Sequence, residues 1–476
     1  MNRPRLLVIS SLLGPLLAAC AAAPPPPPAE PAPPPPSNVQ PPPFAPAGPA
    51  PTPEVAASDR RAQRLAILDA AWKTVRDKHY DKALGGVDWN ATRTRYEPLA
   101  LAAPSEAAFY RVLNQMIGEL GQSHMSITGP GAEDEDDIEE LAEPGEAASG
   151  PQPVTQGSVG DPGLTVRVIE GRPTITAVRA GSSAERVGLQ PGYVVTHIAG
   201  RELKVTTDSA RSMRPVEERF AVRRLALRRL MGAAGSRVGV RFLDNADKPG
   251  QVVLTRDEPK TRPVRLGYLP PLYPEVRFRE QNGVGIVSFN IFLLQPVLAD
   301  LKKAIDGFRA RGVRALVLDL RGNPGGQAGM AIPVAARLTD KPITLGNIQF
   351  RDFAQTLTAT PEVGVTPFLG PVAILTDEGT ASASEILAAG LQKAKRAVVV
   401  GDSTLGAVLP SVIQALPGGA VMQYVVADFK TPKGVLLEGR GVQPDKRVLE
   451  TRAGLRTGRD PVLDAALVAV RASRSR

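Results

Sequence analysis

Residues 380–385 read TASASE and place two serines, Ser382 and Ser384, directly before the apolar run ILAAGLQ. A serine hydroxyl is a poor nucleophile until a neighbouring group takes its proton. The 476-residue chain has three histidines, His79, His124 and His197, that could do so near neutral pH. Lys393 and Lys395 are close in sequence but fall on the helix expected after the serines and would face away. A second stretch, ALVLDLRGNPGG (315–326), ends an apolar run on Gly325 and Gly326. Bare glycine amides can approach a substrate carbonyl, and the Ala383 amide, at the start of a helix, lies where anions are stabilised. Gly325, Gly326 and Ala383 together could form an oxyanion hole. Cys20 is the only cysteine, which excludes disulfides and a cysteine metal site, and His79 and His197 make no metal-ligand spacing. No metal and no cofactor is expected.

These residues need elements to position them. From 57 to 130 the pattern is helical: SDRRAQRLAILDAAWKTVRDKHY is one amphipathic stretch, and a second begins at Ser105, an N-cap after Pro104. Phe109, Val112, Leu113, Met116, Ile117 and Leu120 recur at three- and four-residue steps, and continuing that phase puts His124 on the same stripe at the helix end. Residues 131–158 contain the acidic run AEDEDDIEELAEPGE, which lacks calcium-loop spacing and reads as a self-repelling flexible loop. Residues 159–262 are β-rich around a short helix, with a helical insertion over 207–231. Residues 263–476 alternate apolar strands (GVGIVSF, ALVLDL, VAILT, AVVVG) with helices such as PVLADLKKAIDGFRA. The expectation is a multidomain α/β protein: an N-terminal helical domain, a β-rich domain and an α/β core.

ALVLDLRGNPGG and VAILTDEGTASASEILAAGLQ closely resemble the two signature blocks of the C-terminal processing and tricorn-type serine peptidases. The resemblance runs from about Ile67 to about Asp445 and implies a core of the crotonase/Clp-protease type with Ser382 as nucleophile. AGSSAERVGLQPGYVVTHIAG resembles part of the family's PDZ domain. Such domains bind a peptide terminus as an added strand with its carboxylate on backbone amides; the matching loop is Gly163, Leu164 and Thr165, and Tyr193 stands where aspartate is usual. The processing branch deprotonates its serine with a lysine, but here the block reads TLGAVLP and Ala407 holds that position. The tricorn branch uses histidine. GELGQSHMSI resembles its serine–histidine pair, giving Ser123 and His124, and LLEGRGVQPD resembles the block bearing its glutamate, giving Glu438. The resemblance thus implies a tetrad in which His124 is the general base, Glu438 orients it and Ser123 supports that contact. Peptides or unfolded protein segments are the implied substrates. A peptide-binding scaffold that kept the fold and lost the chemistry is the alternative, with Ala407 and Tyr193 in its favour.

The first twenty residues, MNRPRLLVISSLLGPLLAAC, have the layout of an export signal, and LAAC resembles a lipobox whose Cys20 is lipidated. Residues 21–56, rich in proline and alanine, read as an extended tether; thirty such residues would reach roughly 90 Å. The expected location is the cell envelope facing the periplasm, anchored at Cys20, the outer membrane ahead of the inner. The net charge of +9 is spread widely. Its densest run, RRLALRRL (223–230), reads as a solvated helix face, and no stretch interleaves aromatics as a nucleic-acid site would. Oligomeric state is left open.

Overall fold

The computed structural model describes residues 53–130, 159–204, 213–269 and 271–472. The export signal with Cys20, all but the end of the tether, and the acidic run lie outside the described residues, as does part of the insertion. Three helices open the described chain: α1 (Pro53–Lys78), α2 (Trp89–Leu101) and α3 (Glu106–Gly118), followed by a short strand β1 (Ser126–Thr128). The Ser105 hydroxyl caps α3 by accepting from the Ala108 amide, satisfying one of the donors a helix start leaves unpaired. Ile67, Leu68, Trp72, Phe109, Leu113 and Met116 fill one core between these helices.

The β-rich body comprises β2 (Leu164–Ile169), β3 (Arg172–Val178), β4 (Val194–Ile198), helix α4 (Pro215–Leu230), β5 (Arg237–Leu243) and β6 (Pro249–Thr255). Its strands pair in sequence order, leaving β2 and β6 as edges, and α4 packs against β2. Tyr193 stacks on Phe242 at 5.3 Å between ring centroids, so the residue replacing the usual aspartate is part of this body's packing.

In the remaining chain, β7 (Val276–Gln281), β8 (Val284–Phe289), α5 (Val297–Ala310), β9 (Ala315–Asp319), β10 (Val372–Thr376), α6 (Ala383–Lys393), β11 (Ala397–Gly401), β12 (Ser411–Ala415), β13 (Val421–Val425), β14 (Lys446–Arg447) and α7 (Pro461–Ala472) carry the site. Six strands form one sheet in the order β7-β8-β9-β10-β11-β14; β7 is antiparallel to β8 and the other pairs are parallel. Successive strand side chains point to opposite faces. Leu316, Leu318 and Ile374 therefore meet Phe308 of α5 and Ile386 and Leu387 of α6, while Val317, Leu375 and Val400 meet Leu463, Leu467 and Val470 of α7. Covering on both faces is why these strands read as continuous apolar runs.

The helical part is not free-standing. Strand β1 pairs antiparallel with β13, whose other neighbour is β12. Leu416, Ala420, Met422 and Tyr424 from this hairpin complete the helical core. The β-rich body docks through charge. Arg167 of β2 makes a two-pronged pair with Glu378 at 2.9 Å for each prong and a further pair with Glu450. Arg223 and Arg219 of α4 reach Asp377 at 3.0 Å and Asp402 at 2.8 Å. The expectation of a wholly solvated arginine face on α4 is thus corrected at Arg223. The helical period of α4 aims its guanidinium at buried carboxylates of the core rather than at water.

Candidate active site

The turn between β10 and α6 carries the two serines, and their surroundings separate them. Ser384 is fully buried and donates to the Asn323 carbonyl at 3.1 Å; its role is structural. Ser382 stands at the N-cap of α6 with φ 55° and ψ −120°, a backbone conformation costly for a non-glycine residue. Strain of this kind on a strand-to-helix turn presents the side chain instead of folding it into the helix. The Ser382 amide is held by the Ala407 carbonyl at 2.8 Å and the Glu385 carboxylate at 3.0 Å. Ala381, just before it, donates to the Asn323 carbonyl at 3.1 Å, tying the serine turn to the NPGG turn after β9.

Gly325 and Gly326 have φ of +94° and +133°. A Cβ on Gly325 would fall 2.7 Å from the Ser382 Cβ and 2.9 Å from the Ala383 nitrogen; one on Gly326 would fall 2.4 Å from the Phe292 carbonyl oxygen. Gly325 is thus required by close approach of the two turns, and Gly326 by the Phe292 backbone that runs against it. The expected oxyanion hole needs one correction: the Gly325 amide already donates to Asn323 Oδ1 at 2.9 Å. Asn323 uses its side chain to fix that turn, since its Nδ2 also donates to the Phe289 carbonyl. The amides of Gly326 and Ala383 remain as the donors that can face a substrate oxygen.

His124 does not continue the stripe of α3. That helix ends at Gly118, and His124 sits six residues on, in a turn, with φ 59°. The helical phase failed because Gly121 also takes a positive φ and redirects the chain. Ser123 Oγ lies 2.7 Å from His124 Nδ1. With Nδ1 donating to Ser123, Nε2 keeps a lone pair for accepting a proton. Burial pushes the His124 imidazole down to about 4, which keeps the ring neutral at physiological pH.

Glu438 also differs from expectation. Its carboxylate accepts from the Ser123 amide and from the Val408 amide, each at 2.9 Å. It therefore orients the backbone of Ser123, and through the Ser123 hydroxyl the imidazole, rather than touching the ring. The links form a continuous path: the Ser382 amide bonds the Ala407 carbonyl, the next amide at Val408 bonds Glu438, Glu438 bonds Ser123, and Ser123 bonds His124. Ser382 and His124, separated by 258 positions in sequence, are brought to one locus by this path and by the pairing of β1 with β13. Among the described residues no direct hydrogen bond joins Ser382 Oγ to His124. Lys393 and Lys395 are exposed, as expected of residues facing away.

Several residues of the site were not singled out by sequence. Glu385, fully buried on the first turn of α6, accepts from four donors. Burial pushes its carboxyl up to about 7 against the pull of those hydrogen bonds. A glutamate three residues after a cap serine marks a helix start, which is the one signal it gave. Asp377, five residues before Ser382, accepts from the Gly322 amide at 2.7 Å and the Gly379 amide at 2.9 Å. Burial works to raise its carboxyl, but Arg167 and Arg223 of the β-rich body hold it down at about 2.

The loop expected to take a peptide carboxylate is partly satisfied from within. The Gly163 amide donates to Asp161 Oδ1 at 2.6 Å, and Arg179 pairs with the same carboxylate. Gly163 is therefore corrected as a free donor, while Leu164 and Thr165 open edge strand β2. Among the described residues no cluster of histidine, cysteine and carboxylate side chains could hold a metal, and no helix is long and apolar enough to cross a membrane.

Residues 283–448 match the family model of peptidase family S41, and residues 60–118 match that of the tricorn protease C1 domain. A carboxyl-terminal-processing protease of Synechocystis is 25% identical over 386 residues, covering 80% of each chain. The chloroplastic carboxyl-terminal-processing peptidase 2 of Arabidopsis thaliana is 28% identical, covering 80% of this chain and 68% of that one. Against a Staphylococcus saprophyticus protein named "Probable CtpA-like serine protease", the match covers 58% of this chain and spans only 50% of the relative. In fold, the chain is similar to a photosystem II D1 C-terminal processing protease (TM-score 0.53, 23% identity, covering 81% of this chain and 93% of that one). It is also similar to mature CPAF (TM-score 0.57, 15% identity, covering 83% and 94%). The serine turn, the paired glycines and Glu438 lie inside the S41 block, and α1 to α3 overlap the tricorn C1 block that ends at residue 118, ahead of His124; these matches support a serine peptidase of the C-terminal processing and tricorn type.

Proposed function

We propose that the protein is a cell-envelope serine endopeptidase that cleaves peptides or unfolded and C-terminal protein segments. The observation that carries this reading is the path of hydrogen bonds from the strained Ser382 turn to the Ser123–His124 pair. In the proposed reaction His124 Nε2 takes the Ser382 proton as Oγ attacks the scissile carbonyl. The amides of Gly326 and Ala383 receive the developing oxyanion. The imidazolium then protonates the leaving amine, and water, deprotonated by the same ring, releases the acyl group. Glu438 and Ser123 keep the ring in the tautomer this requires.

The β-rich body is proposed as a PDZ-like module that takes a peptide along edge strand β2 beside α4, with Leu164 and Thr165 at its mouth. Lipidation at Cys20 and the proline-rich tether would hold the enzyme on the periplasmic side of an envelope membrane. The test is an active-site-directed fluorophosphonate together with hydrolysis of an unfolded protein. The purified chain should label and cleave, and Ser382→Ala and His124→Ala should each abolish cleavage. A chain that does neither is the peptide-binding scaffold that Ala407, in place of a lysine, would suit.

A further inference from the structure

The four-donor carboxylate of Glu385 has no part in the proton transfers above, yet it touches both the Ser382 turn and the 404–407 segment beside it. Oε1 accepts from Thr404 Oγ1 at 2.5 Å and from the Gly406 amide at 2.8 Å. Oε2 accepts from the Ala407 and Ser382 amides, each at 3.0 Å. Thr404 Oγ1 itself accepts from the Val442 amide at 2.6 Å, so its own proton goes to Glu385. All four groups facing the carboxylate donate, and none carries a charge. Glu438 takes the next amide along the same loop, Val408. Two carboxylates therefore grip consecutive amides of segment 404–408: Glu385 from the nucleophile's helix, Glu438 from the side of the base.

We propose that Glu385 is a positioning residue that fixes the strained Ser382 backbone and, through the 404–408 segment, its register against the Ser123–His124 pair. It does so as an acceptor on every side, which is the ionised form. Protonation puts a hydrogen where a donor already points, releasing one contact and letting the segment shift. A displacement of about 1 Å at a reacting group costs on the order of a hundredfold in rate. Because burial holds the carboxyl up at about 7, the ionised and protonated forms exchange near neutral pH.

This inference rests on the peptidase reading, and the test separates the two. Wild type and Glu385→Gln are compared for kcat and KM between pH 5 and 9, with active sites counted by fluorophosphonate labelling. The amide variant keeps the shape and is fixed in the uncharged state. It is expected to lower kcat per labelled site roughly 10- to 100-fold at pH 8, with KM changed less than about twofold. Its rate should be flat through pH 7, where the wild-type rate rises, and wild type at low pH should approach it. If the amide variant does not fold, Glu385→Asp serves: it keeps the charge but retreats by one methylene, so kcat falls while the rise near pH 7 remains. Unchanged kcat per labelled site in a folded variant overturns the proposal, as does a loss fully explained by fewer labelled sites. A wild type that neither labels nor hydrolyses overturns the peptidase reading and this inference with it.

Discussion

Replacing Gly325 by alanine tests whether the two turns at the site must touch. The added Cβ would lie 2.7 Å from the Ser382 Cβ, 2.8 Å from the Ala381 carbonyl oxygen and 2.9 Å from the Ala383 nitrogen. Carbon atoms in contact settle near 3.5–4.0 Å, so the serine turn must retreat by about 1 Å. All three neighbours are backbone or first side-chain atoms, so no flexible tip can yield instead. Alanine must also hold φ near +94°, which costs on the order of 1–3 kcal/mol. The Ala383 amide moves with the turn and leaves the position where an oxyanion would form. Losing one such donor costs roughly 10²–10³ in kcat. Pre-steady-state fluorophosphonate labelling reads serine reactivity, peptide hydrolysis reads kcat, and thermal unfolding reads the strain. Labelling should slow at least tenfold while the melting temperature falls only by several degrees. Labelling and kcat both within threefold of wild type, in a folded protein, would refute the argument that these turns form one catalytic surface.

Because burial holds His124 down at about 4, the proposed base stays neutral well below the ordinary histidine range. Complete loss of kcat/KM should therefore fall near pH 4, beneath the partial step assigned to Glu385, and a single limb at 6.5 would contradict it. The same shift makes the unfolded chain bind a proton that the fold excludes between pH 6.5 and 4. Stability should fall as pH drops through that window, and His124→Gln should remove this contribution in urea titrations. Arg167→Ala removes one of the two arginines paired with buried Glu378 and Asp377 and leaves Arg223 as the other; fully unpairing a buried charge costs roughly 3–5 kcal/mol, so the loss should stay below that range, measurable by chemical denaturation. Cys20→Ser should move the protein from the membrane to the soluble fraction of fractionated cells, and retention in the membrane would refute the lipid anchor.

The parts of the structure that the sequence disclosed are those ruled by local pattern. The four core strands appear at the apolar runs because sheet faces covered on both sides leave no alternation to misread. Ser105 caps α3 as its type and position require. The failures share a different cause, which is that the deciding partner lies far away in sequence. Helix α2, which the sequence did not single out, carries Pro98 within its length and is held by Trp89 and Ala100 in the shared helical core. Arg223 looked like one charge among many because nothing in its own helix names Asp377 as its partner. Glu438 was placed at the site but given the wrong contact, since a backbone amide as the bonded group leaves no mark on the sequence.

In the proposed mechanism a histidine from one part of the chain serves a serine from another. A general base works only within hydrogen-bond reach, so the helical part must be fixed to the core to a fraction of an ångström. Apolar packing alone would not give that precision, because buried contacts are non-directional. Here packing and direction are divided between two devices. Met422 and Tyr424 of the hairpin complete the helical core, which holds the two parts together. The β1–β13 ladder then sets the register, with Ser126 opposite Gln423, and Glu438 locks the last degree of freedom by bonding Ser123 directly. His124 follows Ser123 in sequence, so its ring inherits a position set from the core. On the proposed mechanism the helical part is a component of the active site rather than an accessory, and a core separated from it would lose both the proposed base and the cover over Met422 and Tyr424.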